Sequence, residues 1–438
     1  MRRGFIFLSA VTAAIAAPAA GSAQTLEEAL SIAYETNPTI GAERARQRAT
    51  KELKAQAWAN ALPQVQGSAG YSKIDETQTI NSTAFGQTIV QERNFDLESK
   101  TAGVTGEQPI FTGLRNFNAI RAAKSRVKAG DAQLALVEQD VLQRAAQAYF
   151  DVVRDMAVYD ATKNNVDVLL RQKREAELRF EVGEVTKTDV AQADARLAQS
   201  RAQLTTAQAR LAVSRATFAE IIGDAPASLE KDPALPPVPA SLDEAKTIAA
   251  QGAPAVVRAK LAEEASRRDI AVARGAFAPT VSLTASYQYA EEPSSFVIKD
   301  EQFAYGARVT MPLFLGGLNL SRAREAKALN DADRRRIEES ERRATAAVTS
   351  AWEQLSAARA NIVSATSQVE ANALALNGVR REAQLGVRTT LDVLDAEQEY
   401  LNAQVSLANA ERDARTATFL LLASMGVLGP DGVEGEVR

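Results

Sequence analysis

The chain has 438 residues, a formal net charge of −4 and only 5% aromatic residues, so its sequence offers little bulk for a broad globular core. It contains neither cysteine nor histidine, which excludes thiol nucleophiles, disulfides, and metal sites built on thiolate or imidazole ligands. We therefore expect no enzymatic activity, no catalytic residue, no cofactor, no metal site and no nucleic-acid partner.

The N-terminus has the pattern of a secretory signal peptide, which we assign to residues 1–23. Two arginines precede an apolar run over residues 5–17, and the small residues 21–23 fit a signal-peptidase site, with Gln24 as the first mature residue. The alternative is an uncleaved anchor helix, but the apolar run is shorter than the ~20 residues that a membrane span needs. We expect the mature chain to be exported.

The mature sequence contains an internal duplication. Residues 25–29 reappear as residues 241–245 at an offset of 216, and Asp189-Val190 meets Asp392-Val393 at an offset of 203. Because the offset changes only within one loop of the strand region, both copies are expected to build the same supersecondary unit. The predicted divisions are a first repeat at 24–222, a Pro-rich linker or equatorial segment at 223–240, a second repeat at 241–425 and a C-terminal tail at 426–438.

Each repeat carries a strand pair in which apolar and polar residues alternate, as in a sheet with two different faces. The strand lengths are close to those that cross a bilayer in a tilted barrel, and the loop of the first pair, about 75–96, is the longer one. In lipid every backbone polar group must be paired, so other copies of the chain must complete the sheet. Three copies give twelve strands with an open lumen; two or four copies are not excluded by the sequence. The strands are predicted at about 64–75, 97–109, 280–290 and 302–312.

Two long stretches almost free of helix breakers follow the strand pairs. They run from Arg115 to Val182 and from Leu318 to Leu385, and each would extend about 100 Å as one helix. Shorter helices, about 38–61 and 187–222 with their counterparts in the second repeat, have the length to stack end to end beside them. The predicted fold is therefore mixed, all-α plus a membrane β-barrel. Each chain has a duplicated helix–strand–strand–helix unit and four strands of a trimeric twelve-stranded barrel, continued by long coiled-coil-like helices.

Three segments show a resemblance to a known family. Pro109–Phe111 and Pro312–Phe314 close the strand pairs, and the run Leu385–Ala396 reads LGVRTTLDVLDA. With these features the chain resembles the TolC family of outer-membrane efflux and export ducts over essentially all of its mature length. The resemblance implies a barrel in the outer membrane of a Gram-negative bacterium that continues into a helical tunnel through the periplasm.

The function that this resemblance implies is passive exit for substrates driven by an inner-membrane pump. The implied partners are two further copies in a homotrimer, a periplasmic adaptor (membrane fusion) protein, an inner-membrane efflux pump or ABC transporter, and outer-membrane lipid. The sequence leaves two classes of cargo open, drug-like small molecules in multidrug efflux and unfolded polypeptides in type I secretion.

The segment after the second long helix carries the candidate site residues. Gly386 is expected to end the helix, Thr389 or Thr390 to cap the next one, and Asp392 and Asp395 to project from one face near its start. In a three-fold assembly the two acids form stacked carboxylate rings, which attract cations at a constriction. The alternative is that they complement the helix dipole. The resemblance favours the rings, because the periplasmic gate of the family carries acids at these two positions.

The resemblance also implies a latch that holds the gate shut. Arg388 would tie its helix pair to Thr188 and Asp189 of a neighbouring pair, with Gly386 and its counterpart Gly183 as hinges. The family often adds a tyrosine, but Ala383 occupies the matching position here, so one hydrogen bond of the latch is expected to be missing.

Two other classes of protein compete with this interpretation. A soluble periplasmic coiled-coil or adaptor-like structural protein shares the helices but does not need strands of bilayer-crossing length. An exported enzyme could use Asp392 and Asp395 as an acid pair, although catalytic carboxylates normally flank a substrate cleft rather than share one helix face.

Overall fold

Both repeats fold into the same succession of two helices, two strands and two helices. A computed structural model describes residues 23–84, 87–226, 228–294 and 297–429. The predicted signal peptide, apart from Ala23, and most of the predicted C-terminal tail lie outside these residues. In the first repeat the elements are α1 (Leu26–Thr36), α2 (Pro38–Ala59), β1 (Gln64–Ala84), β2 (Gln87–Phe111), α3 (Arg115–Glu181) and α4 (Lys187–Ile222). In the second they are α5 (Leu242–Gly252), α6 (Pro254–Gly275), β3 (Thr280–Ser294), β4 (Val297–Thr310), α7 (Leu318–Gln384) and α8 (Thr390–Met425).

The described strands form one antiparallel sheet in the order β1-β2-β3-β4. The pairing of β2 with β3 joins the two repeats, and Tyr287 of β3 lies opposite both Val104 of β2 and Phe303 of β4. Because side chains alternate across a strand, this register places apolar residues of neighbouring strands on the same face of the sheet. Phe303 and Tyr305 of β4 remain 68% and 82% exposed, so the apolar face is not covered by the chain itself.

The strands run further than the sequence predicted, which is a correction to the expected loops. β1 continues to Ala84 and β2 begins at Gln87, so residues 75–84 and 87–96 form a paired extension of the hairpin rather than a long loop. Thr77, Thr79 and Ile80 lie in this extension, and β-branched residues favour strands. The two faces of this extension are both exposed to solvent, so neither needs apolar side chains. Its sequence therefore lacks the alternation of apolar and polar residues by which strands are recognised.

Each long helix is 67 residues, which confirms the expected continuous helices of about 100 Å. α3 packs with α4 and α7 packs with α8, giving two helical pairs that turn back at short connections. α2 and α6 pack beside α3 and α7 nearer the strands, and α3 also contacts α6 and α8. The two pairs therefore lie side by side and end together at the tip farthest from the sheet. Of the described helices, not one has an apolar stretch long enough to span a membrane.

The main hydrophobic core lies midway along α3 and α7, where the C-terminal ends of α4 and α8 and the short helices α1 and α5 pack against them. Tyr149, Phe150, Phe218 and Phe419 are each at most 1% exposed and contribute most of its aromatic bulk. The hydroxyl of Tyr149 lies 3.0 Å from two backbone carbonyl oxygens, those of Gln24 and Glu230. Burial raises the pKa of this phenol to about 12, so it stays neutral and can act as a hydrogen-bond donor.

Candidate functional site at the helix tips

Gly386 forms the turn between α7 and α8. Its φ of +79° lies in the left-handed region, which costs glycine little and a residue with a side chain more. The amide of Val387 donates to the carbonyl of Glu382 at 2.9 Å, so the turn satisfies one of the last carbonyls of α7. Gly183 has the same conformation, with φ of +81°, between α3 and α4. The two predicted hinge glycines are thus equivalent turn residues of the two repeats.

The first acid of the predicted pair, Asp392, is built into the start of α8. Thr389 is the N-cap, and Asp392 Oδ2 accepts hydrogen bonds from the amide and hydroxyl of Thr389 at 2.9 and 2.8 Å. These bonds hold the pKa of Asp392 below its usual value. Thr186 and Asp189 form the same capping box at the start of α4. Capping therefore accounts for a structural role of Asp189 and Asp392, and it keeps the Asp392 carboxylate ionised at the tip.

The second acid, Asp395, has a different environment. Its Oδ1 accepts a hydrogen bond from Arg196 Nη2 on α4 at 2.5 Å, which connects α8 to the other helical pair. The Asp395 side chain is 53% exposed, so this ion pair sits at the surface of the chain. The structure thus brings Asp392 and Asp395 to the same helix start but gives them different partners.

An apolar cluster beside the two acids joins the two helical pairs. Leu394 lies between them in sequence, is 1% exposed, and packs with Leu169 and Ala176 of α3 and with Ala193 and Leu197 of α4. We call these five residues the tip cluster. Because Leu394 projects into the first repeat, the acids that flank it in sequence are held against that repeat at fixed positions.

A buried carboxylate one turn further along α8 adds a polar connection between the pairs. Glu397, 4% exposed, accepts a hydrogen bond from Arg380 Nε of α7 at 2.9 Å and one from Gln172 Nε2 of α3 at 3.0 Å. Arg380 belongs to the same pair as Glu397, whereas Gln172 belongs to the other. The Gln172 bond therefore crosses between the pairs and the Arg380 bond does not.

Within this chain, Arg388 does not reach the predicted latch partners. Its Nε donates to Glu382 Oε2 at 2.9 Å, on the opposite side of the same turn. Thr188 is an exposed residue of the first turn of α4, and Asp189 is engaged in its capping box. The contact of Arg388 with Thr188 and Asp189 therefore stays a prediction.

Ala383, where the family often has a tyrosine, borders an open space. It lines a cavity of about 400 Å³ between α3 and the α7–α8 pair, together with Arg171, Arg179 and Thr390. The expected loss of one latch hydrogen bond at this position is thus accompanied by unfilled volume beside the turn.

The sequence matches the family model described as outer membrane efflux protein over residues 29–224 and 247–427. The chain belongs to the outer membrane efflux protein family. It is 30% identical over 413 residues to the outer membrane efflux protein BepC of Brucella suis, a match that covers 94% of this chain and 87% of that protein. It is 25% identical to the outer membrane protein TolC of Vibrio cholerae, with 94% and 92% covered.

The fold agrees with the family. The outer membrane channel CmeC of Campylobacter jejuni superimposes with a TM-score of 0.78 at 19% identity, covering 92% of this chain and 85% of that one. The predicted resemblance to TolC-type ducts, the predicted combination of helical tunnel and strand barrel, and the outer-membrane location are confirmed.

Membership of the outer membrane efflux protein family also decides between the competing classes of protein. Its members are outer-membrane transport channels, so the alternative of a soluble periplasmic coiled-coil or adaptor-like protein is wrong. They are transport channels rather than enzymes.

Sequence reasoning missed three members of this site, Arg196, Leu394 and Glu397. Arg196 could have been found from the duplication, because it corresponds to Glu399 at the offset of 203 and the charge is therefore reversed between the repeats. The side-chain pattern of α8 alone does not identify Leu394 or Glu397, because their burial depends on α3, α4 and α7.

Proposed function

We propose that three copies of this chain form an exit duct through the outer membrane, with the sheet as one third of a closed barrel. The observation that carries this proposal is the sheet itself. In the described residues β1 and β4 pair on one side only, and the apolar face is exposed. An open edge is not tolerated in lipid, so β4 of one copy must pair with β1 of the next. Three copies close twelve strands around a lumen.

The duct entrance lies at the helix tips in this proposal. The helices place Asp392 and Asp395 about 100 Å from the start of α7, far from the sheet. Around a three-fold axis these carboxylates form two rings that attract cations and repel anions at a narrow entrance. Their position at the start of α8 supports this role, because helix starts of three copies can converge on one axis.

Opening of this entrance requires movement of the α7–α8 pair relative to α3–α4. The glycine turns at Gly183 and Gly386 are the hinges, since both already use a conformation that restricts other residues. In the closed trimer Arg388 exchanges Glu382 for Thr188 and Asp189 of a neighbouring helical pair, or shares its guanidinium between them. A single exposed ion pair contributes ~0 to 1 kcal/mol, so this latch acts together with other contacts.

The duct has no energy source of its own and serves an inner-membrane efflux pump or ABC transporter through a periplasmic adaptor protein. Both cargo classes, small molecules and unfolded polypeptides, fit a wide passive lumen. Deletion of the gene followed by measurement of drug susceptibility and of the secreted proteins tests each class: higher drug susceptibility indicates efflux, loss of a secreted protein indicates secretion, and both together indicate that the duct serves both.

Planar-bilayer recording of the detergent-extracted oligomer tests the duct and its entrance. We expect small cation-selective currents that millimolar divalent cation blocks in the wild type but not in Asp392→Asn plus Asp395→Asn. The control removes two exposed acids near the sheet end of α7, Glu325→Gln plus Asp331→Asn, and should leave the block unchanged. Absence of a channel, or an oligomer mass other than that of three copies, would refute the proposed trimeric duct. Equal block in both double variants would show that the entrance does not lie at Asp392 and Asp395.

A further inference from the structure

Arg196 is placed to control the charge of the second acid ring. It lies on α4 of the first repeat, with its side chain 32% exposed, and its Nη2 contacts Asp395 Oδ1 at 2.5 Å. Its Nη1 also donates to Gln199 at 3.2 Å, which holds the guanidinium over its own helix. The position of the guanidinium is therefore fixed by α4, while the carboxylate belongs to α8.

The two acids consequently differ in how much of their charge is compensated. The bonded oxygen of Asp392 receives neutral donors, the amide and hydroxyl of Thr389, so its negative charge is retained. Asp395 faces a guanidinium that carries a full positive charge at contact distance. The charge of Arg388 also lowers the pKa of Asp392, but less than the hydrogen bonds from Thr389 do. In the arrangement that the structure shows, Asp395 is therefore the more fully compensated of the two acids.

The duplication gives an independent indication that the pair is specific to the two repeats. At the offset of 203, Asp395 corresponds to Gln192 and Glu399 corresponds to Arg196. Where the start of α8 has two acidic residues, the start of α4 thus has one neutral and one basic residue, and the basic one contacts Asp395. The two helix starts are complementary in charge rather than equivalent.

We propose that Arg196 is a specificity-determining residue of the duct, an intrachain counter-ion that neutralises Asp395 while the entrance is closed. Movement of α8 away from α4 separates the pair and exposes three additional carboxylates, one from each copy. Opening therefore increases the cation preference of the entrance as well as its width. This inference rests on the proposed function, since it requires that Asp392 and Asp395 line the transport path.

The test measures divalent-cation block of the resting channel in planar bilayers at low ionic strength, where charges are least screened. Arg196→Gln should tighten the block by about fivefold or more, because it frees Asp395 in the closed entrance. Arg196→Lys keeps the positive charge and should stay within about twofold of the wild type. Arg196→Gln combined with Asp395→Asn removes both charges and should block within about twofold of the wild type, whereas Asp395→Asn alone leaves Arg196 unpaired and should not tighten the block.

Lys173→Gln is the matched control. Lys173 of α3 contacts Asp194 of α4 at 2.5 Å, so its loss frees a carboxylate near the tip without touching Asp395. The net charge changes by the same amount as in Arg196→Gln, and we expect a block within about twofold of the wild type. An equal tightening in both variants would show a general effect of charge and would overturn the counter-ion role.

The proposal and its premise fail in different ways. If Asp392→Asn weakens the block but Arg196→Gln leaves it unchanged, the acidic entrance stands and the role of Arg196 is refuted. If Asp392→Asn and Asp395→Asn both leave the block unchanged, the entrance itself is misplaced and the inference falls with it.

Discussion

Leu394 offers the most direct test of how the closed tip is held together. Its side chain is 1% exposed, and its partners in the tip cluster all belong to α3 and α4. Truncation to alanine removes three carbon atoms from this cluster. We expect it to destabilise the packed state by about 2 kcal/mol, at the lower end of the range for buried leucines, because two of the neighbouring residues are small alanines. If opening withdraws α8 from α3 and α4, the side chain is already exposed in the open state and the truncation costs little there. Only the closed state is destabilised, so the equilibrium between closed and open states shifts toward the open state by about 30-fold per copy.

The assay for Leu394→Ala is the open probability and conductance of single channels in planar bilayers. Leu374→Ala on α7 is the control, because its side chain is 75% exposed and its truncation should change the open probability little. Thermal dissociation of the extracted oligomer should be similar in both variants, since the main core lies midway along the helices. An intact Leu394→Ala oligomer with the open probability of the wild type would refute the reasoning that closure buries this residue.

Three further predictions concern the turn, the acid and the core. Gly386→Ala should destabilise the tip by about 1 kcal/mol, because its φ of +79° disfavours a residue with a side chain. Gly378→Ala within α7 should stabilise the helix by a similar amount. Proteolysis at the turn should therefore be faster in the first variant and no faster in the second. Thr389→Val removes a hydrogen bond that lowers the pKa of Asp392, so the midpoint at which acid abolishes cation block should move to higher pH in a pH titration of the current. The wild-type carboxylate, with its pKa lowered, should lose its charge only as the pH falls below about the ordinary 3.8. Tyr149→Phe should cost about 1–3 kcal/mol, seen as a lower thermal dissociation temperature, because it leaves a buried carbonyl with one donor fewer.

The sequence predicts the regular part of this fold well because its signals are local or periodic. The ends of α3 and α7 follow from the glycine turns and the absence of prolines, and the predicted cap of α8 is confirmed at Thr389. The register of β3 with β4 places Tyr287 opposite Phe303, as the alternation of both strands requires. These features depend on residues close in sequence or on a simple period.

The features that the sequence does not predict depend on contacts between elements that are far apart in the chain or that carry no periodic signal. The extension of β1 and β2 has no apolar face, so its pairing cannot be recognised from alternation. The contact of Arg196 with Asp395 joins residues 199 positions apart, and nothing in either segment alone specifies it. Sequence reasoning treated Asp392 and Asp395 as equivalent members of a pair, whereas packing of α8 on the first repeat gives them different partners.

The closed entrance must be stable at rest and still be opened by partner proteins, and the contacts at the tip divide accordingly. Arg380 and Glu397 bind within the α7–α8 pair and can persist during its movement. The contacts that cross between the pairs are the apolar packing of Leu394, the Gln172–Glu397 hydrogen bond and the exposed Arg196–Asp395 pair. An exposed ion pair contributes ~0 to 1 kcal/mol, whereas burial of a leucine contributes about 2 kcal/mol. A hydrogen bond to a charged group, such as that of Gln172 to Glu397, contributes a comparable ~1.5–3 kcal/mol. Closure should therefore depend chiefly on the tip cluster and on this bond, which leaves the exposed Arg196–Asp395 pair free to set the ion preference without fixing the stability of the closed state.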